Sequence, residues 1–148
     1  MRKLIRNLVW LVLVWGAVWP VAQGATEEKP FAAQRVVLQL SDNDAGKQTL
    51  VLNVANNLLK AYGVDRVEVE IVAFGPGLNL LLANNTNAAR IDGLAGSGVR
   101  FSACQNTLAA MTREQGKEPV LTPHAVKVSA GVVRIIELEG QGYTLIRP

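Results

Sequence analysis

The sequence predicts an α/β sandwich built around a mainly parallel sheet. Short stretches rich in β-branched residues alternate along the chain with longer stretches whose apolar residues recur at three- and four-residue intervals. Glycine, proline and asparagine separate these stretches, where turns are expected. Such an alternation of strands and helices is typical of a parallel sheet, because each helix returns the chain to the start of the next strand.

The first 24 residues have the pattern of a secretory signal peptide. A basic segment at 2–6 precedes an apolar run at 8–18, and the small residues Ala22 and Gly24 fit cleavage after about Gly24. The apolar run is well short of the ~20 residues that a membrane-spanning helix needs, which argues against a retained anchor. We therefore expect a periplasmic or otherwise exported protein that has no membrane attachment after cleavage.

The charge of the chain changes when this segment is removed. Three of the 15 basic residues lie in it, so the remainder carries 12 basic and 12 acidic side chains and is neutral on balance. The net charge of +3 therefore belongs to the signal peptide, and the basic surface typical of nucleic-acid binding is missing. We expect no nucleic-acid partner.

Two strands and a long helix are expected at the start of the folded domain, 35–148, which follows a polar, flexible tether at 25–34. The first strand, 35–40, is apolar on both faces, as expected of a strand covered by helices on two sides. A helix over 45–62 follows from apolar residues at helical spacing. The second strand, 66–74, alternates apolar residues with glutamates before it becomes wholly apolar, so its first half is expected to expose one face to water.

The middle of the domain is expected to contain three further helices and one strand. Leucine spacing predicts a short helix at 78–83, and a second follows an asparagine-rich turn at 88–95. The third strand is 99–103, and a helix over 106–115 ends before Gly116 and Pro119.

The last third of the chain permits two interpretations. The segment 125–129 reads as a short strand, after which 131–146 fits either a helix at 131–139 followed by a strand at 143–146, or a β-hairpin. The β-branched residues favour the strand by propensity, yet they also cover a broad helical face.

Cys104 is the only cysteine, and it lies where the third strand passes into the next helix. Helix N-termini at the carboxyl ends of parallel strands present free N–H groups, so a thiol there can have a pKa below the ~8.5 of free cysteine. Alternation along the strand places Arg100 and Ser102 on the side of Cys104, which can bring a cation near the sulfur. Free cysteines are also frequently buried as small apolar residues, so a structural role stays open.

Other polar residues near this junction are candidates for binding a ligand on the sulfur. Asn84 and Asn87 belong to an asparagine cluster, which either forms a polar rim or simply makes a turn and a helix cap. Asn106 and Thr107 either donate to a group bound on the sulfur or cap the helix after Cys104. We take these four residues, with Arg100 and Ser102, as the candidate ligand-binding set. With one cysteine and one histidine, and no P-loop at GPGLNL, we expect neither a metal site nor a cofactor.

Two runs carry a resemblance to a known family: NNTNAARIDGLAGSGVRFSACQNTLAAM and SAGVVRIIELEGQGYTLIRP. They resemble the DsrE/DsrF-like (YchN-like) family of sulfur-relay proteins, in its exported single-domain branch, and the similarity extends from RVVLQL to YTLIRP. The resemblance implies a three-layer α/β/α sandwich with about five strands, a helix followed by a strand at the C-terminus, and homo-oligomers such as trimers or hexamers. It also implies that Cys104 carries a persulfide sulfur, exchanged with a donor or acceptor protein.

The sequence therefore supports two hypotheses about function. The first is an exported sulfur carrier, at most a sulfurtransferase, in which the Cys104 thiolate forms a persulfide. The second is a non-catalytic binding or assembly module of the same fold in which Cys104 is structural. The second is motivated by a difference from the family: its characterised relay proteins act in the cytoplasm, whereas we expect this chain to be exported.

Overall fold

The computed structural model describes residues 29–148, which form a five-stranded parallel sheet covered by helices on both faces. The predicted three-layer α/β/α sandwich is thereby confirmed. The predicted signal peptide, 1–24, lies outside the described residues. The described part of the expected tether, 29–34, contacts the sheet, since the N–H of Lys29 donates to Glu68 Oε1 at 3.1 Å and that of Ala33 to the carbonyl of Arg66 at 2.8 Å.

The helices and strands alternate along the chain. The strands are β1 Gln34–Leu40, β2 Val67–Ala73, β3 Arg100–Cys104, β4 Ala125–Val128 and β5 Thr144–Ile146. The α-helices are α1 Ala45–Tyr62, α2 Ala88–Gly96, α3 Gln105–Gln115 and α4 Gly131–Gly140. The C-terminus thus has the helix followed by a strand, and not the hairpin. The short helix expected at 78–83 is a 3₁₀ helix, Gly75–Leu81, with a proline in its first turn, where a missing N–H costs nothing.

The order of the strands determines which helix covers which face. The order is β4-β3-β2-β1-β5, so the chain moves in one direction from β1 to β4 and then crosses back over the sheet to β5. Because such crossovers are right-handed, the returning connection places α4 on the face opposite the other helices.

Two apolar cores follow from this arrangement. The larger lies between the sheet and the helices α1, α2 and α3 with the 3₁₀ helix, and it contains Leu52, Leu80 and Phe101. The smaller lies under α4, where Ile135 and Leu138 pack against Val37 and Val72 of the sheet. None of the helices within residues 29–148 is long and apolar enough to cross a membrane.

Candidate functional site

The connections that follow β3 and β4 leave the sheet on opposite faces. The chain leaves β3 into α3 on the face of the larger core, and it leaves β4 into α4 on the other face. In open α/β sheets, ligands bind outside the carboxyl ends of two neighbouring strands whose following connections go to opposite faces. Cys104 ends β3 at this point and is in register with Val128 of β4.

Cys104 lies at the N-cap position of α3, with 5% of its surface exposed. The backbone N–H groups of Asn106 and Thr107, in the first turn of α3, lie close enough to its sulfur to lower the pKa of the thiol, although Cys104 makes no side-chain cap hydrogen bond. The N–H of Gly131, the first residue of α4, faces it from the other side. The sulfur is therefore placed where two helices present N–H groups that have no partner within their own helix.

These donors lower the pKa of the Cys104 thiol. Burial raises the pKa, but the Thr107 hydroxyl and the N–H groups of Thr107, Gly131 and Asn106 lower it by more, so that it lies below its ordinary value of 9.0. Groups that donate to a thiolate favour the charged form. Because the thiolate is the nucleophilic form of cysteine, the site favours attack by this sulfur.

Gly131 is part of the site, and the sequence interpretation did not single it out. A Cβ atom at this position would lie 2.8 Å from Cδ1 and 2.9 Å from Cβ of Phe74. The absence of a side chain therefore lets the first turn of α4 pack against Phe74 while its N–H reaches Cys104. A glycine at the first position of the helix that follows the neighbouring strand is the signal that could have identified it.

Arg100 and Ser102 lie on the α4 face of the sheet, within a buried network of ion pairs. Ser102 Oγ donates to Glu70 Oε1 at 2.6 Å, and Arg100 donates from Nε to Glu70 at 3.1 Å and from Nη1 to Glu68 at 3.3 Å. Arg134 of α4 donates from Nε and Nη2 to the two oxygens of Glu70, at 2.7 Å and 2.8 Å. Arg100 is thus engaged by carboxylates of β2.

The expectation that the first half of β2 exposes a face to water is wrong. Glu68 and Glu70 are both 1% exposed, because α4 covers this part of the sheet and supplies one of the arginines that pair with them. Beside the network lies a cavity of about 170 Å³. It is lined by Glu70, Arg100, Phe101, Ser102, Val126, Val128 and Arg134.

The asparagines lie apart from these residues. Asn84 lines a surface pocket with Gln115 and Pro119, at the end of α3 opposite Cys104. Asn87 precedes α2 and donates from its backbone and side-chain nitrogens to Asn85 Oδ1, at 2.9 Å and 3.1 Å. Of the candidate set, the structure brings Asn106 and Thr107 to the sulfur.

No cluster that could hold a metal ion is found within residues 29–148. These residues contain no group of three or more His, Cys, Asp or Glu side chains in a position to bind one.

Comparison with protein-family models gives no match, and no curated protein matches the chain significantly. The chain is similar to a solved structure, that of MTH1491, a protein of unknown function from Methanobacterium thermoautotrophicum. The two share 31% sequence identity, and the match covers 78% of this chain and 99% of the archaeal one with a TM-score of 0.68.

Proposed function

The chain belongs to the same family as the archaeal protein MTH1491, whose function is unknown, and we propose from the geometry at Cys104 that it is a sulfur carrier. The observation that carries the proposal is the position of one thiol at the N-terminus of α3 and beside that of α4, where N–H groups of both helices and the Thr107 hydroxyl lower its pKa. The resemblance of the sequence to the DsrE/DsrF-like family supports the same function. The signal-peptide pattern of the first 24 residues supports an exported place of action.

In the proposed reaction, a sulfane sulfur passes through Cys104 in two exchange steps. The Cys104 thiolate attacks the outer sulfur of a donor persulfide, R–S–SH. The bond between the two donor sulfurs breaks, its electron pair leaves with R–S⁻, and Cys104 becomes a persulfide that keeps the proton on its outer sulfur. An acceptor thiolate then attacks that outer sulfur, and the Cys104 sulfur leaves as a thiolate. No external oxidant or reductant is consumed.

The donors around Cys104 support both steps. In the first they increase the fraction of thiolate available for attack. In the second they favour Cys104 as a leaving group, because a thiol of lower pKa leaves faster in thiol exchange. The donor and acceptor are thiol-bearing molecules, and a partner protein is one such class.

Sulfur loading tests the proposed function. After incubation with a polysulfide or a small-molecule persulfide, the mature protein is expected to gain one sulfur atom in intact-mass spectra, and Cys104→Ser is expected to gain none. A thiol reductant should remove the added sulfur from the wild-type protein. Equal masses for the wild-type protein and Cys104→Ser after the same incubation would contradict the proposal.

A non-catalytic binding or assembly module is the second candidate, and the 5% exposure of Cys104 favours it. In that case the thiol fills space at the end of β3. Native Cys104 would then react with an alkylating reagent only at a pH near or above the pKa of free cysteine. The variant Cys104→Ala would keep the cellular role of the protein. The pH dependence of alkylation separates the two candidates.

We also propose that the protein self-associates through the outer side of α4. Val132, Val133 and Ile136 are 55%, 46% and 63% exposed, and Val126 of the edge strand β4 is 60% exposed. A single helix about 10 Å across covers this face, whereas five strands spaced by about 4.8 Å make the sheet nearly twice as wide. A second copy of the chain would cover the apolar surface that α4 leaves open.

Ile136→Asp tests this contact. Light scattering is expected to give an oligomer for the wild-type protein and a mass close to the monomer for Ile136→Asp, because a carboxylate would be buried in the interface without a partner. Val120→Asp is the matched control, since Val120 is 66% exposed but lies before β4 and outside the α4 surface. A monomeric wild-type protein, or equal dissociation by both variants, would contradict the proposed contact.

A further inference from the structure

The cavity beside the buried ion-pair network has one polar wall and one apolar wall. Its polar wall is formed by Glu70, Arg100, Ser102 and Arg134, all of which have little or no exposed surface. Its apolar wall includes Val126 and Val128 of the edge strand β4. Ser102 is in register with Val126, so the two walls meet on the α4 face of the sheet.

The acceptors of the polar wall are already occupied. Glu70 Oε1 accepts from Ser102 and from Arg134 Nε, and its Oε2 accepts from Arg100 Nε and from Arg134 Nη2. The carboxylate is therefore paired with two guanidinium groups. A cation or a hydrogen-bond donor that entered the cavity would gain little from this wall.

The guanidinium group of Arg134 has donors left over. Of its five N–H donors, one from Nε and one from Nη2 are directed at Glu70. Nη1 lies 3.7 Å from a carboxylate oxygen of Glu137, which is longer than a hydrogen bond, and it forms no hydrogen bond within residues 29–148. One hydrogen of Nη1 and the second hydrogen of Nη2 form the end of the group, which is a second edge for bidentate binding.

The free edge and the apolar wall together define a class of ligand. A carboxylate accepts two parallel hydrogen bonds from such an edge, and a hydrocarbon chain attached to it would cover the valines. An apolar cavity of about 150 Å³ holds a benzene molecule, so a cavity of about 170 Å³ has room for about six non-hydrogen atoms.

We infer that this cavity binds a short-chain carboxylate, whose oxygens accept from the free end of the Arg134 guanidinium group and whose chain packs on Val126 and Val128. The inference goes beyond the proposed function and does not require a reactive thiol at Cys104. Sulfur loading and carboxylate binding can therefore fail independently of each other.

Butanoate, with six non-hydrogen atoms, is the probe for this site. The mature protein is titrated with sodium butanoate at pH 7 and constant ionic strength, and the amide resonances of Ser102, Val128 and Arg134 are followed by NMR. Saturable shifts are expected. Butanamide has the same size but no charge, and its Kd should be about tenfold higher, because hydrogen bonds to charged groups are stronger. Thiosulfate, an anion without a hydrocarbon chain, should also bind more weakly than butanoate.

Two variants locate the binding to the two walls. Arg134→Lys keeps a cation beside Glu70 but removes the bidentate edge, so the Kd for butanoate should rise about tenfold. Val128→Trp fills the cavity and should abolish the saturable shifts. Val120→Trp is the matched control, since Val120 is exposed and lies outside the cavity, and it should keep the wild-type Kd.

Four results would overturn the inference. The first is a wild-type protein without saturable shifts in butanoate. The second is a Kd for butanamide or thiosulfate equal to or lower than that for butanoate. The third is a wild-type Kd in either Arg134→Lys or Val128→Trp, provided that the dispersion of the spectrum shows the variant to be folded. The fourth is a loss of binding in Val120→Trp as large as in Val128→Trp.

Discussion

Replacement of Glu70 with alanine is expected to lower the free energy of unfolding by about 3–5 kcal/mol, the typical cost of removing one partner from a buried ion pair. Glu70 is 1% exposed, and its carboxylate accepts from Arg100, Arg134 and Ser102. Its removal leaves the guanidinium groups of Arg100 and Arg134 without this partner, although their side chains are only 18% and 22% exposed. The variant also loses the ion pair between Arg134 of α4 and β2.

Glu137→Ala is the matched control for this prediction. Glu137 also contacts Arg134, at 3.7 Å, but its side chain is 53% exposed. Surface ion pairs contribute little, so this variant should differ from the wild-type protein by about 0.5 kcal/mol or less. Urea unfolding followed by far-ultraviolet circular dichroism at pH 7 measures the free energy of unfolding of both variants and of the wild-type protein. A loss for Glu70→Ala no larger than that for Glu137→Ala would contradict the prediction.

The same network predicts how stability depends on pH. Burial raises the pKa of Glu70, but the hydrogen bonds from Arg134 and Ser102 lower it by more, to below its ordinary value of 4.5. Burial likewise raises the pKa of Glu68, and the Tyr143 hydroxyl with other donors brings it below 4.5. Carboxylates with a lowered folded-state pKa stabilise the protein above the unfolded-state value, and this stability is lost as the pH falls below about 4.5. Glu70→Ala should therefore show a weaker acid destabilisation than the wild-type protein.

The sequence predicted the fold because the features that define it are local. Apolar spacing identified α1, and β-branched runs identified β1 and the apolar half of β2. Alternation of the two element types then implied the parallel sheet. The 3₁₀ helix was placed only approximately, because Pro76 and the leucines that follow fit more than one kind of helical turn.

The environment of the thiol was less accessible to sequence reasoning because it is assembled from distant segments. The position of Cys104 at the end of a strand, before a helix, followed from local pattern. Gly131 reaches it only because the last crossover returns over the α4 face, and Gly75 reaches Thr107 from a segment that precedes α2. The glutamates of β2 were interpreted as solvent-facing for the same reason, since neither α4 nor Arg134 is close to them in sequence.

Replacement of Gly77 with alanine is expected to lower the free energy of unfolding by about 3 kcal/mol, near the upper end for an overpacked site. An added Cβ would lie 2.4 Å from the carbonyl oxygen of Leu40, 2.7 Å from its carbonyl carbon and 2.9 Å from the nitrogen of Ser41. These are backbone atoms at the end of β1, which is paired on both sides, with β2 and β5. The strand therefore cannot move away, and the 3₁₀ helix must shift instead.

Gly93→Ala provides the control, because Gly93 lies within α2 and an added Cβ would have no neighbour within 4 Å. Alanine should stabilise that helix by about 0.5–1 kcal/mol, so urea unfolding should separate the two variants in opposite directions. Equal stabilities of the two variants would show that the close approach of Gly77 to Leu40 is not needed to hold the 3₁₀ helix.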